Sequence, residues 1–194
     1  MLVLASNSPR RRQILTDAGI PFIVRAPDIL EERSQDETAI QYVRRLAQQK
    51  AWAIDANPAE VVLAADTVVV VDAQVLEKPR DASDAARMLR MLSGRVHEVL
   101  TGVCLRTSSQ MIVDTAVTEV HFSNLSEEEI SDYVRSGEPM DKAGAYAIQG
   151  LASKFIDRID GCYFNVVGLP VALVYQHLKA LGALREPMSG TLAR

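Results

Sequence analysis

The sequence predicts an α/β fold built on a mixed β-sheet, and three observations carry that prediction. Helix-like and strand-like segments are interleaved along the chain. Val61 to Val71 is a continuous run rich in β-branched residues, the pattern of a central strand buried on both faces. Arg95 to Phe122 reads as two long strands joined by the polar turn Thr107-Ser108-Ser109-Gln110, so part of the sheet is antiparallel.

Leu2 to Ala5 is a short apolar strand, and Ser6-Asn7-Ser8-Pro9 follows as strand end, turn and N-cap with proline at the first helical position. That helix runs to about Ala18, with Gly19 as its C-cap. Phe22 to Ala26 reads as a strand, Pro27 to Asp36 as a polar loop, and Glu37 to Ala56 as a long helix. Its core-facing stripe is Ile40, Val43, Ala47 and Ile54. A tight turn near Asp72-Ala73 leads from the central strand into Val75-Leu76. Ala82 to Leu92 is helical and stops at Ser93-Gly94, and Ser126 caps a helix with an acidic first turn that ends by Gly137. Asp141 to Gly150 is a glycine-containing loop, Lys154 to Ile159 a strand, and Gly168-Leu169-Pro170 opens a last helix to about Leu181.

Composition narrows the function classes. With 194 residues, 48% hydrophobic and 24% charged, the chain suits one large domain or two small ones, not a disordered or fibrous protein. A net charge of −4 argues against general affinity for nucleic acid or anionic membrane, so any anion site must be local. The two cysteines, Cys104 and Cys162, are too few for a disulfide framework and suit a reducing, cytoplasmic compartment. The N-terminus lacks the order of a secretory signal, and the longest apolar run is broken by Asp66 and falls short of the roughly 20 residues of a membrane helix. A soluble protein is expected.

Six places carry candidate chemistry. The turn Ser6 to Arg12 offers free backbone N–H groups, hydroxyls and a positive helix end, all favourable to an anion. Its arginines oppose the helix dipole unless a polyphosphate or surface acids partner them. Asp66 sits amid apolar sequence, where a carboxylate is costly unless paired, hydrogen-bonded or holding a metal; a strand-end role bonding backbone amides is the other reading. Glu77-Lys78-Pro79 is a charged pair fixed by proline. Lys50 falls on the apolar stripe of its helix, which directs its ammonium toward the core side or lets it snorkel along that surface. Glu31-Glu32 is either a functional acid pair or a solvated loop. In Gly144 to Gly150, the Gln149 amide pairs one donor with one acceptor and suits a base edge. As an assembly these residues match metal-assisted attack on a phosphate chain. His97, His121, His177 and the cysteines have no nucleophile or metal-ligand spacing, and no Walker or dinucleotide fingerprint is present.

Leu4 to Arg11, Ala65-Asp66-Thr67-Val68-Val69, Glu77-Lys78-Pro79 and Asp141 to Gly150 together resemble, in the same order, the Maf family of nucleoside triphosphate pyrophosphatases. The likeness covers nearly the whole chain. It implies an elongated mixed sheet flanked by helices, with two lobes and a cleft between them, as in inosine-triphosphatase-like folds. It also implies one domain over residues 1–184 with a flexible tail over 185–194, and a cytoplasmic homodimer. The implied reaction is hydrolysis of a nucleoside triphosphate to monophosphate and pyrophosphate with Mg²⁺ or Mn²⁺. Carried over by motif, Ser6, Arg10, Arg11 and Lys50 bind phosphates, Glu31, Asp66 and Glu77 are the metal-binding acids, and Asp66, Glu31 and Lys78 are catalytic, Asp66 as general base. Arg10, Thr67 and Gln149 resemble the branch acting on dTTP and UTP, unlike the one acting on 7-methyl-GTP. Leu30 stands where many relatives have an acid, which leaves Glu31 and Glu32 both open as the loop acid. Two other functions remain open: a nucleotide-binding regulator of septum formation with little turnover, and an inosine- or xanthosine-triphosphate hydrolase, which Gln149 disfavours.

Overall fold

A computed structural model describes residues 1–34 and 36–184; the expected tail lies outside the described residues. The elements run β1 (Leu2–Ala5), α1 (Pro9–Asp17), β2 (Phe22–Val24), α2 (Ala39–Trp52), β3 (Val61–Val71), β4 (Gln74–Leu76), α3 (Ala82–Leu92), β5 (Val96–Arg106), β6 (Met111–Phe122), α4 (Glu127–Arg135), β7 (Ile156–Asp160), α5 (Tyr163–Val167) and α6 (Val171–Ala180). Local signals explain most starts. Ser8, Thr38, Asp81 and Ser126 each accept a backbone N–H at their helix N-terminus, and Thr38 and Ser126 complete capping boxes with Gln41 and Glu129. Asp72 and Ala73, both at positive φ, form the tight turn between β3 and β4.

The strands form a seven-stranded mixed sheet in the order β2-β1-β3-β5-β6-β7, with β4 also paired to β3. β2, β1 and β3 are parallel, and the remaining pairs are antiparallel. β5 covers one edge of β3 from Val62 to Val70. On the opposite edge β1 pairs with Val61 to Ala64 and β4 with Val69 to Val71, which leaves Ala65 to Val68 without a strand partner. The cavity that holds the candidate site opens at that break.

Alternation along β3 sends successive side chains to opposite faces. On one face α2 packs Ala47 and Ala51 over Val62 and Ala64, and Tyr42, Val43 and Leu46 over Val68. On the other, Leu63 and Ala65 join a cluster with α1 and α6, whereas Val69 and Val71 join a second cluster with α3 and α4. Thr67 lies between these two apolar clusters.

Several expectations need correction. The long helix starts at Ala39, not Glu37, because the Thr38 capping box sets its first turn, and it ends at Trp52. Its covered face is Tyr42, Val43, Leu46, Ala47, Lys50 and Ala51; Ile40, on the first turn, is 47% exposed, and Ile54 is buried beyond the helix end. The second strand stops at Val24, and Ala18 rather than Gly19 is the C-cap of α1. The 3-10 turn Glu138–Asp141 leads into the expected loop from Asp141 to Gly150, which holds another at Ala143–Ala145; the strand expected from Lys154 starts only at Ile156 because Leu151–Phe155 forms a third 3-10 turn, and α5 is an unpredicted helix.

Candidate active site

All ten residues expected at the site, Ser6, Arg10, Arg11, Glu31, Lys50, Asp66, Thr67, Glu77, Lys78 and Gln149, line one cavity of about 620 Å³ at the break in the sheet. They come from the β1–α1 turn and the first turn of α1, the loop before α2, α2 itself, β3, the segment after β4 and the loop before β7.

The first wall is the turn after β1. Ser6 is buried, and its hydroxyl accepts the Ser8 N–H at 3.1 Å and Arg11 Nη1 at 3.3 Å. Arg11 continues across the cleft floor, with Nη2 donating to Thr67 Oγ1 at 3.1 Å and Nε to the Gly168 carbonyl at 2.8 Å. Burial lowers the pKa of this guanidinium, and the fields of Asp66 and Glu31 oppose that effect. Arg10 reaches Asp141 on the facing wall at 3.4 Å, while Arg12 turns away to the Asn7 carbonyl. Two of the three arginines therefore face the cavity, and their partners are cavity groups.

Asp66 projects to the α2 face. The residue is 6% exposed, and Lys50 Nζ donates to its carboxylate at 2.7 Å while contacting Glu31 Oε1 at 2.8 Å. Burial raises the pKa of Asp66, with Lys50 and then Arg11 pulling it back. Lys50 is thus drawn into the cavity instead of snorkelling outward, and the strand-end role for Asp66 gives way to an ion pair. Glu31, not Glu32, lines the cavity; Glu32 contributes its backbone carbonyl to Arg45. Glu77 accepts a hydrogen bond of 2.5 Å from the Tyr42 hydroxyl, and burial followed by this bond raises the phenol pKa. The Glu77 carbonyl also accepts the Gly144 N–H at 3.1 Å, tying the far loop to the acid cluster.

Reading the sequence missed three lining groups. Tyr42 lies two turns before Lys50 on one face of α2, a spacing the helical wheel contains, and Asp141 and Lys142 sit inside a motif already singled out. Gln149 is exposed at the cavity and has no hydrogen-bond partner among the described residues.

Three carboxylates around one cavity offer the hard oxygen donors that suit Mg²⁺ or Mn²⁺. The Lys50 ammonium already stands between two of them, so the place favours a cation. Glu31, Asp66 and Glu77 are nevertheless not gathered closely. Among the described residues, the one His, Cys, Asp and Glu group whose ligand atoms lie within 4.8 Å of one another is Glu119, His121 and Asp160, across β6 and β7. Arg158 donates to both His121 and Asp160 there. No sequence spacing foretold that group, because the β6–β7 register assembles it.

Comparison with known proteins places the chain among relatives. The dTTP/UTP pyrophosphatase of Koribacter versatilis is 52% identical over 184 residues, covering 94% of this chain and 95% of that protein. The dTTP/UTP pyrophosphatase of Salmonella typhimurium is 51% identical over 187 residues, covering 95% of each. The structure of the Staphylococcus aureus Ham1 protein superposes with a TM-score of 0.54 at 14% identity, over 93% of this chain and 98% of that one, which shows a shared fold. The family described as Maf-like protein matches residues 1–181, and the chain belongs to that family.

Proposed function

We propose that the chain is a nucleoside triphosphate pyrophosphatase that hydrolyses dTTP and UTP to the monophosphate and pyrophosphate. The observation that carries the proposal is the meeting of arginines, lysines and carboxylates from six separate segments around one cavity. Relatives at about half identity bearing the dTTP/UTP name support the substrate.

Triphosphate binds along the Ser6 turn, where backbone N–H groups and the α1 dipole meet its charge together with Arg10 and Arg11. Asp66 accepts a proton from the water that attacks the α-phosphorus; burial raises its pKa and makes it a better base than an ordinary aspartate. Lys50 holds the Asp66 carboxylate in place and, with Lys78, neutralises phosphate charge. The bond from the α-phosphorus to its bridging oxygen breaks, and the departing pyrophosphate is held by the arginines and Lys78. Glu31, Asp66 and Glu77 are the residues that would hold a divalent cation, which would supply further neutralisation of the triphosphate charge. Gln149 presents a donor and an acceptor to the uracil or thymine edge, and the reversed pattern of cytosine leaves those groups mispaired. The reading extends to a homodimer, supported by the resemblance, and to a cytoplasmic setting, whose reducing conditions suit the two unpaired cysteines.

The test is pyrophosphate release from UTP, dTTP, CTP, ATP, GTP and ITP with Mg²⁺ and with Mn²⁺, using wild type and Asp66→Asn. UTP and dTTP should be cleaved well and CTP much more slowly, and Asp66→Asn should abolish turnover while leaving nucleotide binding and folding largely intact. Binding of UTP without turnover would favour the regulatory reading. A preference for ITP or GTP would remove Gln149 from base selection.

A further inference from the structure

The segment that carries Gln149 is strapped from behind by two residues that do not line the cavity. Tyr133, near the end of α4, donates its hydroxyl hydrogen to Glu138 Oε1 at 2.8 Å and accepts the Ala147 N–H at 3.2 Å. Glu138 Oε2 accepts the Leu151 N–H at 3.0 Å. One hydrogen-bonded pair therefore holds the chain on both sides of Ile148, Gln149 and Gly150. The Gly150 N–H closes the turn onto the Ala147 carbonyl at 3.1 Å. A Cβ on Gly150 would overlap the Glu138 carboxylate, so a larger residue there would push Glu138 away from the turn.

The strap is itself anchored. Tyr133 is 3% exposed and packs edge-on against Phe155, with ring centroids 5.6 Å apart at 86°. The Glu138 amide donates to Ser136 Oγ at 3.2 Å, and the Glu138 carbonyl accepts from Lys142 Nζ at 2.7 Å. Gln149 has no partner among the described residues, so the strapped backbone decides where its amide stands. Telling a uracil edge from a cytosine edge requires donor and acceptor held to a fraction of an ångström, a task for supporting residues behind the contacting one.

We propose that Tyr133 and Glu138 are positioning residues that set pyrimidine base discrimination by fixing the 147–151 turn. The proposal rests on the pyrimidine triphosphatase reading. It adds that selectivity resides in a hydrogen-bonded strap outside the cavity as well as in Gln149.

The experiment compares wild type with Tyr133→Phe, Glu138→Gln and Glu138→Ala, measuring kcat and KM for UTP and CTP and amide hydrogen exchange at Ala147 and Leu151. Tyr133→Phe keeps the buried ring and removes the hydroxyl. It should lower the UTP-over-CTP preference about five- to tenfold, the loss expected for a net hydrogen bond, mainly through a raised KM for UTP. Exchange at Ala147 should speed up. Glu138→Gln, which keeps one acceptor, should retain more of the preference than Glu138→Ala. An unchanged UTP-over-CTP ratio in Tyr133→Phe and Glu138→Ala despite faster exchange would overturn the proposal, as would an equal fall in kcat for both nucleotides, the mark of a merely structural role. Wild type that prefers neither UTP nor dTTP would instead refute the functional reading, before any variant is compared, and this proposal would go with it.

Discussion

Gly102 stands directly opposite Asp66 in the β3–β5 ladder, on the face that α2 covers. A Cβ there would overlap the Val43 carbonyl and lie 2.9 Å from the Arg44 nitrogen, so the α2 backbone rests on β5 with no side chain between. Two turns later the same helix delivers Lys50 to Asp66 at 2.7 Å. The close approach of helix and sheet, and the ion pair it positions, depend on a residue that touches neither charge.

Gly102→Ala should therefore lift α2 from the sheet, destabilise the fold by about 1–3 kcal/mol as overpacking does, and lower kcat by drawing Lys50 away from Asp66. Urea unfolding and pyrophosphate release measure the two effects. A variant with wild-type stability and turnover would show that α2 can retreat without cost.

Arg10 and Arg11 should separate. Arg10→Ala removes a phosphate contact and a partly exposed pair with Asp141, so triphosphate binding should weaken by about 1–3 kcal/mol while stability stays within about 0.5 kcal/mol. Arg11→Ala should lose comparable binding and also about 1–3 kcal/mol of stability, because the Gly168 carbonyl loses its half-buried donor. Arg11→Lys should not restore it, since an ammonium cannot span Ser6, Thr67 and Gly168 as the guanidinium fork does. Substrate affinity unchanged in both alanine variants would make the arginines structural only.

His97 should give the protein a measurable acid sensitivity. It is 2% exposed, shares a 2.9 Å hydrogen bond with the Tyr146 hydroxyl, and burial pulls its pKa from 6.5 down to about 3. The unfolded chain takes up this proton first, so the stability contribution is fully present above about pH 6.5 and is lost as pH falls toward 3. Between pH 6.5 and 5 the loss amounts to about 2 kcal/mol. Urea unfolding at pH 7 and pH 5 should show a larger drop for wild type than for His97→Gln. Parallel pH dependence in the two proteins would mean that His97 is protonated in the folded state.

Features that depend on residues within a few positions of one another were legible in the amino-acid sequence. Ser8 with Pro9, and Ser126 with Glu129, mark helix starts because each cap bonds an amide three residues away. The β-branched run made β3 a buried strand, and a carboxylate within it demanded a partner, which is why Asp66 stood out before any partner was known. All ten expected site residues line the cavity, and the resemblance of their short motifs, not any spacing between them, named them together. Features that depend on register and packing between distant segments were not legible. Helix α5 exists where the Asn165 amide donates to the Val99 carbonyl and Thr118 Oγ1, partners more than forty residues away. Glu31 rather than Glu32 lines the cavity because its carboxylate meets Lys50 across 19 residues, and the Tyr42–Glu77 bond joins α2 to the segment after β4. Glu119, His121 and Asp160 meet only through strand pairing. Local bonds are encoded in short spacings, whereas these contacts form only when the sheet closes and loop-closure entropy has been overcome, so no spacing in the chain records them.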